Sequence, residues 1–183
     1  ALVRTDSLGN ELWTNIYRWE DDTPDSIQIS SNGSVNQIDS NHYNIVGLNK
    51  SDEIYHPIMY ELDDAGNLNW HNDYPSVSED YTRIFSSILN DKVYMLAAYH
   101  PVGFDMTEGH FKVLKTDING AVEGEFNDEY NTYGLRSIKD SKDSTSLFIL
   151  PSGGGPNLTR LYALKLNPST MELDTFLTED VND

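Results

Sequence analysis

The chain has 183 residues, a formal net charge of −18 and no cysteine, with 38% apolar and 11% aromatic residues to build a core. That length suits one packed domain. The acidity excludes an interface that neutralises nucleic-acid phosphates and attraction to an anionic lipid surface. The lack of cysteine excludes a disulfide framework and thiol chemistry, and no run of 18 apolar residues is available to span a bilayer as a helix.

In chain order, apolar runs of four to eight residues alternate with clusters of Asn, Asp, Ser and Gly, a pattern of short strands and turns. Residues 1–17 hold two strands around the turn Asp6-Ser7-Leu8-Gly9-Asn10, with Trp13 four residues past the glycine. The same signature returns at Asp63-Asp64-Ala65-Gly66-Asn67 with Trp70, 57 residues on. It weakens at Asp117-Ile118-Asn119-Gly120, 54 later, where Gly124 stands in place of the Trp, and again at Asn167-Pro168-Ser169-Thr170, about 50 further. A drifting period of this size marks one supersecondary unit stacked several times.

Each full unit reads as four strands, a to d. The second has strands at 34–38, 43–48, 57–62 and 68–74; the third at 82–89, 93–99, 110–116 and 122–130; the fourth at 135–139, 146–151, 159–166 and 171–177. The expected units are therefore a half unit at 1–17 and full ones at about 34–74, 82–130 and 135–177, forming a single all-β domain. Strand b is the most apolar of each unit, as in Val93-Tyr94-Met95-Leu96-Ala97-Ala98, which predicts a sheet covered on both faces. In the c–d turn, Asp accepts backbone N–H groups and the glycine three residues later takes a left-handed conformation in a bulged hairpin. A calcium loop is the rival reading, but the acidic spacing is poor and no Glu stands at the twelfth position, so no cofactor is expected.

Trp13 and Trp70, at equivalent strand positions, are expected in the core. The segments "LVRTDSLGNELWTNIY" and "MYELDDAGNLNWHNDY" resemble the blade repeats of secreted and surface β-propeller proteins of Bacteroidetes-type bacteria. The resemblance implies a β-propeller of four-stranded antiparallel blades and an extracellular or outer-membrane cell-surface setting. It implies no catalytic residue, because the shared positions are turns and core. Three and a half blades fall short of the four to eight that close a ring. The chain also opens inside a strand-like pattern, so a longer parent protein, or a neighbouring chain, is expected to supply the remaining blades.

In such an array the d–a and b–c loops share one face. Here those loops, 17–33, 49–56, 75–81, 100–109, 131–133 and 152–158, are longer than the a–b and c–d turns, and extra length on one face of a repeat array marks the binding side. They carry the candidate ligand residues Trp19, Glu20, Asp52, Tyr55, Tyr81, His100, Phe104 and Asp105. An aromatic ring among carboxylates stacks on a sugar or a cationic side chain while the acids take hydroxyl or ammonium hydrogen bonds. No Ser/His/Asp motif has a nucleophile-elbow context, and the Gly-rich stretch 152–156 has no helix behind it to hold phosphate. The reading is a non-enzymatic binding or scaffold module taking a glycan, a peptide or a protein, in the manner of an accessory surface lipoprotein of a nutrient-uptake complex. The alternative is a propeller hydrolase or lyase with catalytic carboxylates lining the pore.

Overall fold

The computed structural model describes residues 2–15, 27–28, 33–51, 53–102, 109–128, 135–141, 145–151 and 160–180. Within these, fifteen strands and no helix are found. The expected β-propeller-like array of four-stranded antiparallel blades is what the chain forms.

A half blade pairs β1 (Leu2–Thr5) with β2 (Glu11–Asn15). The second blade runs β4 (Ser34–Gln37), β5 (His42–Ser51), β6 (Ile54–Asp63) and β7 (Leu68–Asp73). A two-residue β3 (Ile27–Gln28) pairs with β5 at Leu48 and Asn49, so the inner edge of this blade is two short pieces. By sequence alone these two residues fall inside the 17–33 loop. The third blade is β8 (Glu79–Leu89), β9 (Lys92–Pro101), β10 (His110–Asp117) and β11 (Val122–Asn127). The fourth is β12 (Leu135–Asp140), β13 (Leu147–Pro151), β14 (Arg160–Leu166) and β15 (Leu173–Asp180).

The glycine turns form as their residues dictate. Gly9, Gly66 and Gly120 adopt φ of 85°, 82° and 84°, and each follows a register shift in its hairpin. One carboxylate oxygen of Asp6 accepts the N–H of Leu8 (2.8 Å) and of Asn10 (2.9 Å). Asp63 does the same for Ala65 (2.9 Å) and Asn67 (2.7 Å), and Asp117 for Asn119 (2.9 Å) and Ala121 (2.8 Å). The fourth turn is one residue longer: Met171 N–H bonds to the Asn167 carbonyl, and Met171 takes the positive φ, 57°. Between β8 and β9, Asn90 and Asp91 both have positive φ, the geometry that suits a two-residue hairpin to strand twist.

The core lies between the blades. One cluster joins Val46, Leu48 and Met59 of the second blade to Ile84, Val93, Met95 and Ala97 of the third. Another joins Leu96, Phe111 and Val113 to Ile138, Leu147, Ile149 and Leu166 of the fourth. Strand b meets a neighbour on each face, which is why Val93–Ala98 alternate between the two clusters and are all buried.

Trp13 and Trp70 are half-buried, and Trp70 packs against the core cluster shared by the second and third blades. Each sits on the glycine turn of the next blade. Trp13 Nε1 donates to the Asp64 carbonyl (2.8 Å) and Asn15 Nδ2 to the Gly66 carbonyl (2.8 Å). Asn72 Nδ2 donates to Asn119 O (3.1 Å) and Tyr74 OH to Gly120 O (2.9 Å), while the Trp70 indole bonds Glu61 Oε2 (2.9 Å). At the third seam the sizes are exchanged: Gly124 faces the Met171 side chain, and the Tyr94 hydroxyl (3.4 Å) and Lys115 ammonium (3.3 Å) donate to the Pro168 carbonyl.

Candidate functional site

The ends of β5, β6, β8 and β9 shape the face that carries the d–a and b–c connections. Strands here run further than the sequence suggested. Asn49, Lys50 and Ser51 extend β5, and Ile54, Tyr55 and His56 begin β6, so the connection between them is a tight one. Glu53 at φ 68° closes it. The polar Asn49-Lys50-Ser51 run reads as a loop because strand signals rest on apolar residues. At a solvent-facing hairpin tip, cross-strand pairing sustains polar residues: Lys50 lies opposite Tyr55, its ammonium 5.7 Å from the ring centroid and 2.7 Å from Glu53 Oε2.

The 75–81 loop is likewise shorter, because β8 starts at Glu79. His100 lies within β9, opposite Asp80. Tyr81 is not a loop residue: a register shift between Tyr81 and Arg83 turns its ring into the seam between the second and third blades, where it is 2% exposed. What it offers is a hydroxyl, which donates to Glu79 Oε2 at 2.6 Å. Lys112 Nζ reaches the same oxygen at 2.8 Å and lies 5.8 Å from the centroid of Tyr99, whose ring packs 5.5 Å from that of Tyr81. Burial pushes the Glu79 carboxyl up, but the Lys112 and Tyr81 hydrogen bonds outweigh it and hold the group below its ordinary value. Burial raises the Tyr81 phenol well above the usual tyrosine range, and the Glu79 hydrogen bond adds to it.

Of the eight candidate ligand residues, Tyr55, Tyr81 and His100 are described, and the structure gathers them around one seam. The link is Asp80, whose Oδ1 accepts the Tyr55 backbone N–H at 2.8 Å from the adjacent blade and whose Oδ2 lies 3.7 Å from His100 Nε2. Trp19, Glu20, Asp52, Phe104 and Asp105 lie outside the described residues. Lys50 and Lys112 are not singled out by the sequence, and only register places them beside the rings. His56, which precedes a proline as His100 does, does not join the cluster: it is 5% exposed, with Nε2 3.4 Å from Asp73 Oδ1. Among the described residues no three His, Asp or Glu side chains are gathered to hold a metal. A separate, largely apolar groove beside the half blade is lined by Leu2, Val3, Arg4, Trp13, Val35, Tyr43 and Leu62.

No protein-family model matches the sequence, and no curated protein matches it. Among solved structures, an exo-β-1,3-galactanase from Phanerochaete chrysosporium, solved with β-1,3-galactotriose, superposes with a TM-score of 0.60 at 16% identity over 99% of this chain and 42% of its own. A neuraminidase-like protein from an A/bat/Guatemala isolate gives a TM-score of 0.54 at 8% identity over 79% of this chain and 37% of its own. The chain thus spans less than half the length of these proteins, and at such identities the likeness establishes the propeller fold.

Proposed function

We propose that this chain is a glycan-binding module of a secreted or cell-surface bacterial protein, non-enzymatic in itself, which takes its ligand on the face of the d–a and b–c connections. The observation that carries the reading is the seam at Asp80. There the Tyr55 backbone N–H of one blade donates to Asp80 of the next, His100 Nε2 lies 3.7 Å from the same carboxylate, and the Lys50 ammonium, paired with Glu53, lies 5.7 Å from the centroid of the Tyr55 ring. Such a set offers a stacking surface for a pyranose and both donors and acceptors for its hydroxyls. Trp19, Glu20, Asp52, Phe104 and Asp105 would extend it, with further blades closing the ring. The similarity to a propeller solved with a galactotriose supports a carbohydrate over a peptide as the first ligand to test.

The test is calorimetric titration with β-1,3-galactotriose and a panel of related oligosaccharides. Tyr55→Ala and His100→Ala should each weaken binding about tenfold, on the order of 1.4 kcal/mol, with the fold unchanged. Unaltered affinity in both variants would remove the site from this face. The same galactanase similarity favours a second reading, a glycoside hydrolase. That reading requires turnover of the bound oligosaccharide and its loss by more than 100-fold on replacing one of Glu20, Asp52, Asp80 or Asp105 with its amide, with binding retained.

A further inference from the structure

The Asp6–Asn10 turn is built like its two successors but is not covered as they are. Asp6 grips the N–H groups of Leu8 and Asn10, and Gly9 has φ 85°. At Gly66 an added Cβ would come 2.5 Å from Asn15 Nδ2 and 3.0 Å from two ring carbons of Trp13. At Gly120 it would overlap Asn72 Nδ2 and reach Trp70 at 3.1 Å. At Gly9 it would meet nothing within 4 Å among the described residues, and Leu8 at the tip is 85% exposed. Beside the turn, Val3 and Leu12 are 51% and 55% exposed.

We propose that the free face of this turn docks the outer strand of a further blade of the same repeat, one that presents a Trp and, two residues on, an Asn. The inference concerns the blade array and stands apart from the glycan reading. The chemistry is written twice within the chain: Trp13 with Asn15, and Trp70 with Asn72, each reach from one blade onto the carbonyls and the glycine of the next. The corresponding acceptors on the first turn are the carbonyls of Ser7, Leu8 and Gly9. Only a residue without a Cβ lets an indole lie flat on the turn backbone. A second copy of this chain does not carry the key. Its trailing strand β15, Leu-Asp-Thr-Phe-Leu-Thr-Glu-Asp, has neither Trp nor Asn, and its Trp13 and Trp70 are already engaged. The occupant is therefore an additional Trp-x-Asn blade placed ahead of β1 in a longer array.

The test supplies that blade. Duplicating residues 34–109 ahead of Leu2 gives β1 an inner neighbour and places a copy of Trp70 and Asn72 one blade before the 6–10 turn. In the original chain Gly9→Ala pays only for its backbone angle. In the extended chain it should lower Tm by about 3 °C or more beyond that, as a new Cβ meets the docked indole and amide. Replacing the duplicated Trp and Asn with Ala should abolish the excess. An equal loss in both chains overturns the proposal. If the extended chain does not fold, amide exchange in the original chain decides. Gly9 and Asn10 exchanging at least tenfold faster than Gly66 and Asn67 at every protein concentration supports an open socket awaiting its blade. Equal protection, or protection that rises with concentration as a second copy fills the site, overturns it.

Discussion

At Gly120 a single hydrogen atom in place of a side chain settles two matters at once. The φ of 84° is one that L-residues adopt at a cost of about 1–2 kcal/mol, and the space a methyl group would take is filled by Asn72, Tyr74 and Trp70. Gly120→Ala should therefore cost about 2–4 kcal/mol in urea unfolding, against about 1–2 for Gly9→Ala, which carries the angle without the collision. Equal costs would mean that the seam yields freely. A second residue-scale consequence concerns Glu79. Its carboxyl is held below its ordinary value in the folded state, so its contribution to stability is present above the unfolded carboxylate value of about 4.5 and is lost as pH falls through the lower folded value. Lys112→Met removes the cation that holds it there. The variant should be less stable at pH 7, and the gap to the parent should narrow as pH drops below about 4. A gap constant from pH 7 to pH 3 would show that the ion pair contributes nothing.

At the scale of the strand and turn, the seams are complementary in size. Two of them set a Trp on a glycine; the third sets Met171 on Gly124. Trp70→Ala should cost about 2–3 kcal/mol, below the range for a fully buried Trp, because the ring is only partly buried and lies in a seam. The exchange at the third seam is tested by a double-mutant cycle. Gly124→Trp should cost about 1–3 kcal/mol by overpacking against Met171, and Met171→Gly should recover about 1 kcal/mol or more of it in the double variant. Additive effects would mean that the two positions do not share one space. The c–d turns also depend on ionised carboxylates: the Asn67 side chain, with its backbone N–H, holds Asp63 below the ordinary carboxylate value, and Asn10 does so for Asp6. Both turns are therefore expected to loosen only in strong acid.

Over the whole molecule, the net charge of −18 sets the background against which these contacts work. Self-repulsion of like charge opposes compaction and is screened over about 10 Å at 0.1 M salt. Raising NaCl from 20 mM to 0.5 M should raise Tm by several degrees; a fall would indicate that ion pairs such as Lys112–Glu79 outweigh the general repulsion. The layered core gives the same scale its mechanical logic. Each blade is too thin to bury its own strand b, so the hydrophobic clusters belong to pairs of blades and the inter-blade seam is the unit of stability.

The sequence by itself determined the repeat, the four-strand unit and the chemistry of its turns. These are local: an Asp that accepts two amides and a glycine that must turn left-handed are legible from spacing alone, and so is a strand apolar on both sides. It also placed Tyr55 and His100 among the d–a and b–c connections, whose shared face follows from strand order. Only the tertiary structure decided where the strands end, because polar residues such as Asn49 and Lys50 are held in a ladder by their partners and not by their own preference. Only the packing of one blade on the next could bury Tyr81, bring Asp80 to the Tyr55 amide, and set Trp13 and Trp70 against the neighbouring turn. Those contacts join residues up to 51 positions apart, a relation that composition and periodicity do not encode.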